Sequence, residues 1–247
     1  MARLLDICMN ELIAPARLLA SELRNLHFAA PVACVYRPLD YAWQPYQQYL
    51  QRFGHGPKRV VFLGMNPGPF GMTQTGVPFG EVAAVRDWMG IQETVRQPAQ
   101  LHTKRPIEGF LCPRSEVSGR RLWGLFASHW GTPQAFFKDH FVLNYCPLLW
   151  LNASGANLTP DKIPAAEMLP VEQACLQHLT TVLGLLRPSF IIGIGAFAEE
   201  RLRRAAQICG TTARLGRILH PSPASPAANR NWAATATNQL TALGIWP

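Results

Sequence analysis

The sequence predicts an α/β fold, a single domain with a central, mostly parallel four-stranded sheet flanked by helices on both faces. Two observations carry that expectation. Four short apolar runs, at 60–63, 141–143, 190–194 and 217–219, have strand length and lead into Asn, Gly or His. Stretches with apolar residues at helical spacing alternate with them, at about 4–27, 40–53, 79–89, 118–130, 170–186 and 196–208. Strands separated by helices build parallel sheets covered on both sides. At 247 residues the chain has enough apolar sequence for one such core, with a helical segment at about 1–55 packed on it. No repeat, low-complexity tail or linker marks a second domain.

In chain order, the apolar stretch from Leu4 to Leu26 is interrupted by Asp6, Glu11, Arg17, Glu22 and Arg24, the pattern of an amphipathic helix. It fits neither a signal peptide nor a membrane span, so no membrane partner is expected. Val60-Val61-Phe62-Leu63 runs into Gly64-Met65-Asn66-Pro67-Gly68-Pro69-Phe70-Gly71, where permissive Gly alternates with stiff Pro. That reads as a buried strand ending in a rigid loop that fixes one amide, Asn66. Residues 79–89 are closed by Gly90 as a helix cap, and 92–113, with several Pro and few periodic apolar positions, read as a loop insertion. Asn144 ends the second run and, taken alone, is a turn or capping amide. Phe79, taken alone, is an ordinary core aromatic, and Glu81 favours the first turn of the helix after it.

Gly193-Ile194-Gly195-Ala196-Phe197-Ala198 has the outline of a dinucleotide fingerprint, but it lies late in the chain and no acidic residue closes a second strand. Close packing of the following helix explains these glycines better. His220 ends the fourth run and opens His220-Pro221-Ser222-Pro223-Ala224-Ser225-Pro226, a stiff exposed loop followed by Asn229 and Arg230. Such a loop can press into a nucleic-acid groove while Arg230 meets phosphate. Open α/β sheets bind ligands outside the carboxyl ends of their strands, so Asn66, Asn144, Gly193, Gly195 and His220 are expected to share one cleft.

Lys plus Arg exceeds Asp plus Glu by eight, mostly through Arg, which favours a polyanionic partner. The six cysteines contain no Cys-x-x-Cys pair, which excludes common zinc and iron–sulfur patterns and fits an intracellular, reduced protein. No metal and no cofactor are expected.

Five blocks stand out: Gly64 to Met72, Gln74-Thr75-Gly76-Val77-Pro78-Phe79-Gly80-Glu81, Ser115-Glu116-Val117-Ser118-Gly119, Cys146-Pro147-Leu148-Leu149 and His220-Pro221-Ser222-Pro223. Together they resemble the single-strand-selective monofunctional uracil-DNA glycosylases, the SMUG branch of the uracil-DNA glycosylase superfamily. The resemblance implies the superfamily's fold and an enzyme that hydrolyses the N-glycosidic bond of uracil and C5-oxidised uracils, such as 5-hydroxymethyluracil, in single- and double-stranded DNA. It implies that Asn66 positions water, His220 hydrogen-bonds uracil O2, Phe79 stacks on the extruded base and Asn144 reads its pairing edge. Met65, Gly68 and Phe70 would complete the pocket, and Pro221, Ser222, Pro223, Ala224, Ser225, Asn229 and Arg230 would meet DNA. The tip, Ala224-Ser225, is smaller than the polar or basic residues of the family, which predicts weaker insertion into duplex. All four lysines, Lys58, Lys104, Lys138 and Lys162, lie outside the blocks, as expected of a monofunctional enzyme acting without a Schiff base. The expected protein is a monomer, in the cytoplasm or nucleoid of a bacterium or the nucleus of a eukaryote. Alternative readings are a mismatch-type uracil/thymine glycosylase and a non-catalytic damaged-DNA-binding protein.

Overall fold

The computed structural model describes residues 11–247, and its first helix, α1 (Ile13–Arg24), buries Ile13, Ala16, Leu19, Ala20 and Leu23 along one face. The part of the expected 4–27 helix before residue 11 lies outside the described residues. The chain continues through β1 (Cys34–Tyr36), α2 (Pro38–Tyr41), α3 (Trp43–Phe53), β2 (Val60–Gly64), the single turn α4 (Met72–Thr75), α5 (Val117–Trp130), α6 (Pro133–Asp139) and β3 (His140–Asn144). It closes with β4 (Leu149–Leu151), β5 (Asn157–Leu158), α7 (Ala165–Leu186), β6 (Phe190–Ile194), α8 (Ala196–Cys209), β7 (Arg214–Ile218) and α9 (Pro226–Ala242).

The four-stranded sheet has the order β3-β2-β6-β7 and every pairing in it is parallel. The wholly buried β2, Val60-Val61-Phe62-Leu63-Gly64, is central because both its faces are apolar. Successive strand residues point to opposite faces, and here each face meets helices. Phe62 packs on Phe126 of α5, with ring centroids 5.2 Å apart. Phe141, one residue out of phase with the register pair Phe62 and Val142, packs on Tyr49 of α3 at 5.1 Å. The sheet is therefore covered on both faces.

Several elements differ from expectation. The helix anticipated at 79–89 starts only after Glu81 and is largely a π-helical turn, Ala84–Trp88. Phe79 is excluded from it because its backbone is left-handed, with φ +52°, and its carbonyl accepts from Trp123 Nε1 and Glu81 N. The 40–53 stretch divides into α2 and α3 at Ala42, where φ is −108°. The fourth strand runs over 214–218 rather than 217–219, since the exposed Arg214 and Arg217 and the small Gly216 mask its apolar character. A second sheet, β1-β4-β5, and the short α6 are additional. The stiff loop anticipated from 221 onward ends at Ser225: its side chain accepts from Ala228 N, and with Pro226 at the first helical position it starts α9. Asn229 and Arg230 therefore stand on a helix.

Candidate active site

Register builds the site. Parallel pairing sets Gly64 beside Asn144, and the ladder continues past both strands, with Tyr145 N donating to Gly64 O and Cys146 N to Met65 O. Asn66 and Asn144 are thus carried at fixed offsets on neighbouring strands. On the other side of β2, β6 ends at Ile194 and runs into Gly195, whose N–H donates to Ile218 O of β7. A Cβ on Gly195 would lie 3.2 Å from His220 Cβ, and Gly195 itself has φ +92°, so glycine both allows the turn and admits the histidine. The segments that follow β2, β3 and β7 open onto a cavity of about 350 Å³, lined among others by Met65, Asn66, Gly68, Met72, Phe79, Glu116, Asn144, Asn157, His220 and Pro223; Gly193 and Gly195, expected in the same cleft, do not line it, Gly193 packing instead on the Glu199 backbone. A larger hollow of about 650 Å³, between Arg24, Arg37 and Arg96, shares none of these residues.

Asn66, His220 and Asn144 are each held by a specific bond. Asn66 Nδ2 donates to Leu148 O at 3.2 Å, which leaves its Oδ1 buried and without a donor. An orphaned buried acceptor is costly and calls for a donor. Ser222 N donates to His220 Nδ1 at 3.1 Å, so Nδ1 is an acceptor and the proton of the neutral ring sits on Nε2. Burial holds the His220 pKa below its ordinary value, which favours that neutral form. Asn144 Nδ2 donates to the soft Met72 Sδ at 3.4 Å, and its Oδ1 lies 2.5 Å from where a Cβ on Gly64 would stand. The Phe79 ring covers the same point of Gly64, 6.2 Å from the His220 ring. Gly64 is therefore the floor over which an amide and an aromatic ring meet. Holding Phe79 in the left-handed region costs about 1–3 kcal/mol, the kind of strain that accompanies site geometry.

The Gly/Pro loop is fixed from behind. Thr73 Oγ1 donates to Gly68 O at 2.8 Å, and Gln74 Nε2 donates to both Pro69 O and Pro106 O at 3.0 Å. Gln74 Oε1 accepts from Glu108 N and Gly109 N, so one buried amide fastens the 92–113 insertion to the pocket loop. Glu116 closes the wall opposite Gly68: its Oε1 caps α5 by accepting from Ser118 N at 3.2 Å, and its Oε2 lies 2.5 Å from an ideal Cβ on Gly68. Burial pushes the Glu116 carboxyl above its ordinary value.

Of the residues selected from sequence, Met65, Asn66, Gly68, Phe79, Asn144, His220, Ser222 and Pro223 line one cavity. Phe70 does not line it; its ring faces the guanidinium groups of Arg105 and Arg114. Pro221 is buried, Ser225 caps α9, and Asn229 is committed to the loop, donating from Nδ2 to Pro223 O and accepting at Oδ1 from Arg121 Nη2. Ala224 and Arg230 are exposed. Sequence reasoning gave no role to Gln74, Glu116 and Arg121. The first two stand in blocks quoted for the resemblance, whereas nothing local flags Arg121, which reaches Pro221 O at 3.0 Å from another element.

A parallel α/β sheet whose strand ends enclose two amides, an imidazole and an aromatic ring defines a pocket for a flat, polar ring. The chain belongs to the uracil DNA glycosylase superfamily, whose sequence model matches residues 52–242. It is 49% identical over 229 residues to the single-strand selective monofunctional uracil DNA glycosylase of Bos taurus, covering 93% of this chain and 84% of that protein. The Rattus norvegicus protein of the same description matches at 49% identity, over 93% of this chain and 82% of its own length. The crystal structure of Pedobacter heparinus SMUG2 superposes with a TM-score of 0.63 and 16% identity, covering 93% of this chain and 98% of that one, a likeness of fold.

Proposed function

We propose that the protein is a monofunctional DNA glycosylase that releases uracil and C5-oxidised uracils from single- and double-stranded DNA, leaving an abasic site. The observation that carries this reading is the paired polarity of Asn66 and His220 in one cavity: a buried acceptor with no donor and a ring whose free nitrogen bears the proton. When the C1′–N1 bond breaks, its electron pair leaves with the base and the sugar becomes oxocarbenium-like. His220 Nε2–H donates to the O2 of the departing anion, stabilising charge where it develops. Asn66 Oδ1 accepts from a water that attacks C1′. An amide is a poor base, but a cationic sugar needs little more than an oriented water.

Asn144 selects the base. Its Oδ1 accepts from uracil N3–H and its Nδ2 donates to O4, whereas cytosine presents a bare N3 and an amino group. Each buried group left unpaired costs about 1–3 kcal/mol. With the base face on Phe79 and O2 on His220, its C5 edge turns to the wall made by Gly68 and Glu116. The Glu116 carboxyl accepts a bond from a 5-hydroxymethyl group, whereas the methyl of thymine would desolvate it without one. No lysine lines the cavity; Lys58 lies at the opposite end of β2, where its Nζ donates to Phe137 O at 2.6 Å.

Incubating the protein with single- and double-stranded oligonucleotides containing one uracil tests the proposal. Free uracil and strands that break only after alkali are expected. Intact strands in both forms would refute it, and strands already broken before alkali would contradict the monofunctional assignment.

A further inference from the structure

Phe70 is flanked in sequence by Pro69 and Gly71, both in the cavity wall, yet its own ring is turned out to the rim. There Arg114 Cζ lies 4.3 Å and Arg105 Cζ 5.5 Å from the ring centroid. Arg105 is steadied further, with Nε donating to Gly155 O at 2.9 Å and Nη1 to Lys104 O at 3.2 Å. Gly155 belongs to the turn that leads into β5, whose Asn157 lines the cavity, and Arg114 stands two residues before Glu116, which also lines it. Among the described residues neither Lys104, Arg105 nor Arg114 forms an ion pair with a carboxylate, so nothing there neutralises them at contact distance. Three cations without an ion-pair partner, two of them ordered on one aromatic ring, thus stand next to segments that line the pocket.

We infer that Arg114, Arg105 and Lys104 form a phosphate-binding platform for the DNA strand that carries the extruded nucleotide, with Phe70 as the residue that positions its guanidinium groups. The inference rests on the glycosylase reading, because it places a nucleotide in the cavity between this platform and the 221–225 loop. Stacking orders the guanidiniums before DNA arrives and leaves their outer N–H donors free, an arrangement suited to a polyanion and not to a single small anion. The platform belongs to the strand that enters the pocket, so it acts on single-stranded and duplex substrates alike. It gives Phe70 a role outside the pocket and the 92–113 insertion a purpose.

The test is the salt dependence of binding to oligonucleotides containing 2′-fluoro-2′-deoxyuridine, which resists hydrolysis. Losing one phosphate contact makes the slope of log affinity against log salt shallower by about 0.7 on single strands. Arg114→Ala is expected to show that change and at least about threefold weaker binding at low salt, on single strands and duplex. Arg114→Lys should keep the slope, and Phe70→Leu should weaken binding while keeping it. Lys138→Ala, at the far end of the sheet, controls for net charge. An unchanged slope in Arg114→Ala overturns the inference, as does an equal change in Lys138→Ala, or a change confined to duplex, which would place the contact on the complementary strand. Failure of the wild-type protein to release uracil would instead defeat the glycosylase reading, a separate result.

Discussion

The discriminating role proposed for Asn144 rests on its being held in place. The Phe79 ring and Gly64 confine its amide, and Met72 Sδ takes one of its protons, so its donor and acceptor keep their places when a base arrives. Asn144→Asp should therefore narrow the ratio of uracil to cytosine excision, measured on matched oligonucleotides; unchanged relative rates would remove it from base reading. Gly64→Ala should cost activity more than stability, because the added methyl enters the space of the Asn144 amide and the Phe79 ring. A rate loss of at least about tenfold is expected with a stability loss of about 1–3 kcal/mol. Burial holds the His220 pKa below its ordinary value, so the ring is neutral on the basic side of neutrality and the excision rate should be flat from about pH 7.5 to 8.5. A His220-dependent inflection within that window would show the ring acting as a titrating acid. The positions of Asn144 and His220 were legible in sequence because each directly follows a short apolar run, and that of Asn66 because it stands three residues beyond one, whereas their roles came only from the resemblance. Glu116 and Gln74 were not, since their meaning depends on partners 34–48 residues away, at Gly109, Glu108 and Gly68.

At the scale of elements, the loop after β7 is held from two sides. Trp232 Nε1 of α9 donates to Leu219 O at 2.7 Å, and Arg121 of α5 reaches Pro221 O, Ser222 O and Asn229 Oδ1. The tip at Pro223 and Ala224 is thus small, exposed and stiffly held. On the expectation that this loop opens duplex, Arg121→Ala should lower excision from duplex at least about fivefold more than from single strands. Equal losses on both would assign Arg121 a general stabilising role. The β2, β3 and β6 strands could be read directly from their uninterrupted apolar runs. Strand β7 shifted because exposed Arg214 and Arg217 break its pattern, and the two- and three-residue strands of the second sheet carry too few residues for any period. The 79–89 helix failed at Phe79 for a tertiary reason, the capture of its carbonyl by Trp123.

For the whole molecule, burial of histidine sets the response to acid. Burial lowers His140 and His178 to about 4 and also depresses His220. Each binds fewer protons folded than unfolded, so its stabilising contribution is complete above pH 6.5 and is lost as pH falls toward the folded value. His140 has no way to adapt: Nδ1 donates to Phe136 O, and Nε2 is buried with no partner. Denaturant unfolding between pH 7 and 4 should show a stability loss of a few kcal/mol, smaller in His178→Leu; constant stability across that range would contradict the assigned burial. The same packing brings the segments after β2, β3 and β7 to one cavity, and the central claim is that Asn66 and His220 act there by orientation and leaving-group stabilisation. Single-turnover excision of uracil from a single-stranded oligonucleotide by Asn66→Ala and His220→Leu tests it most directly. Both rates should fall at least about tenfold with folding intact and affinity for the 2′-fluoro oligonucleotide kept within a few-fold. A near wild-type rate in either folded variant would contradict the account.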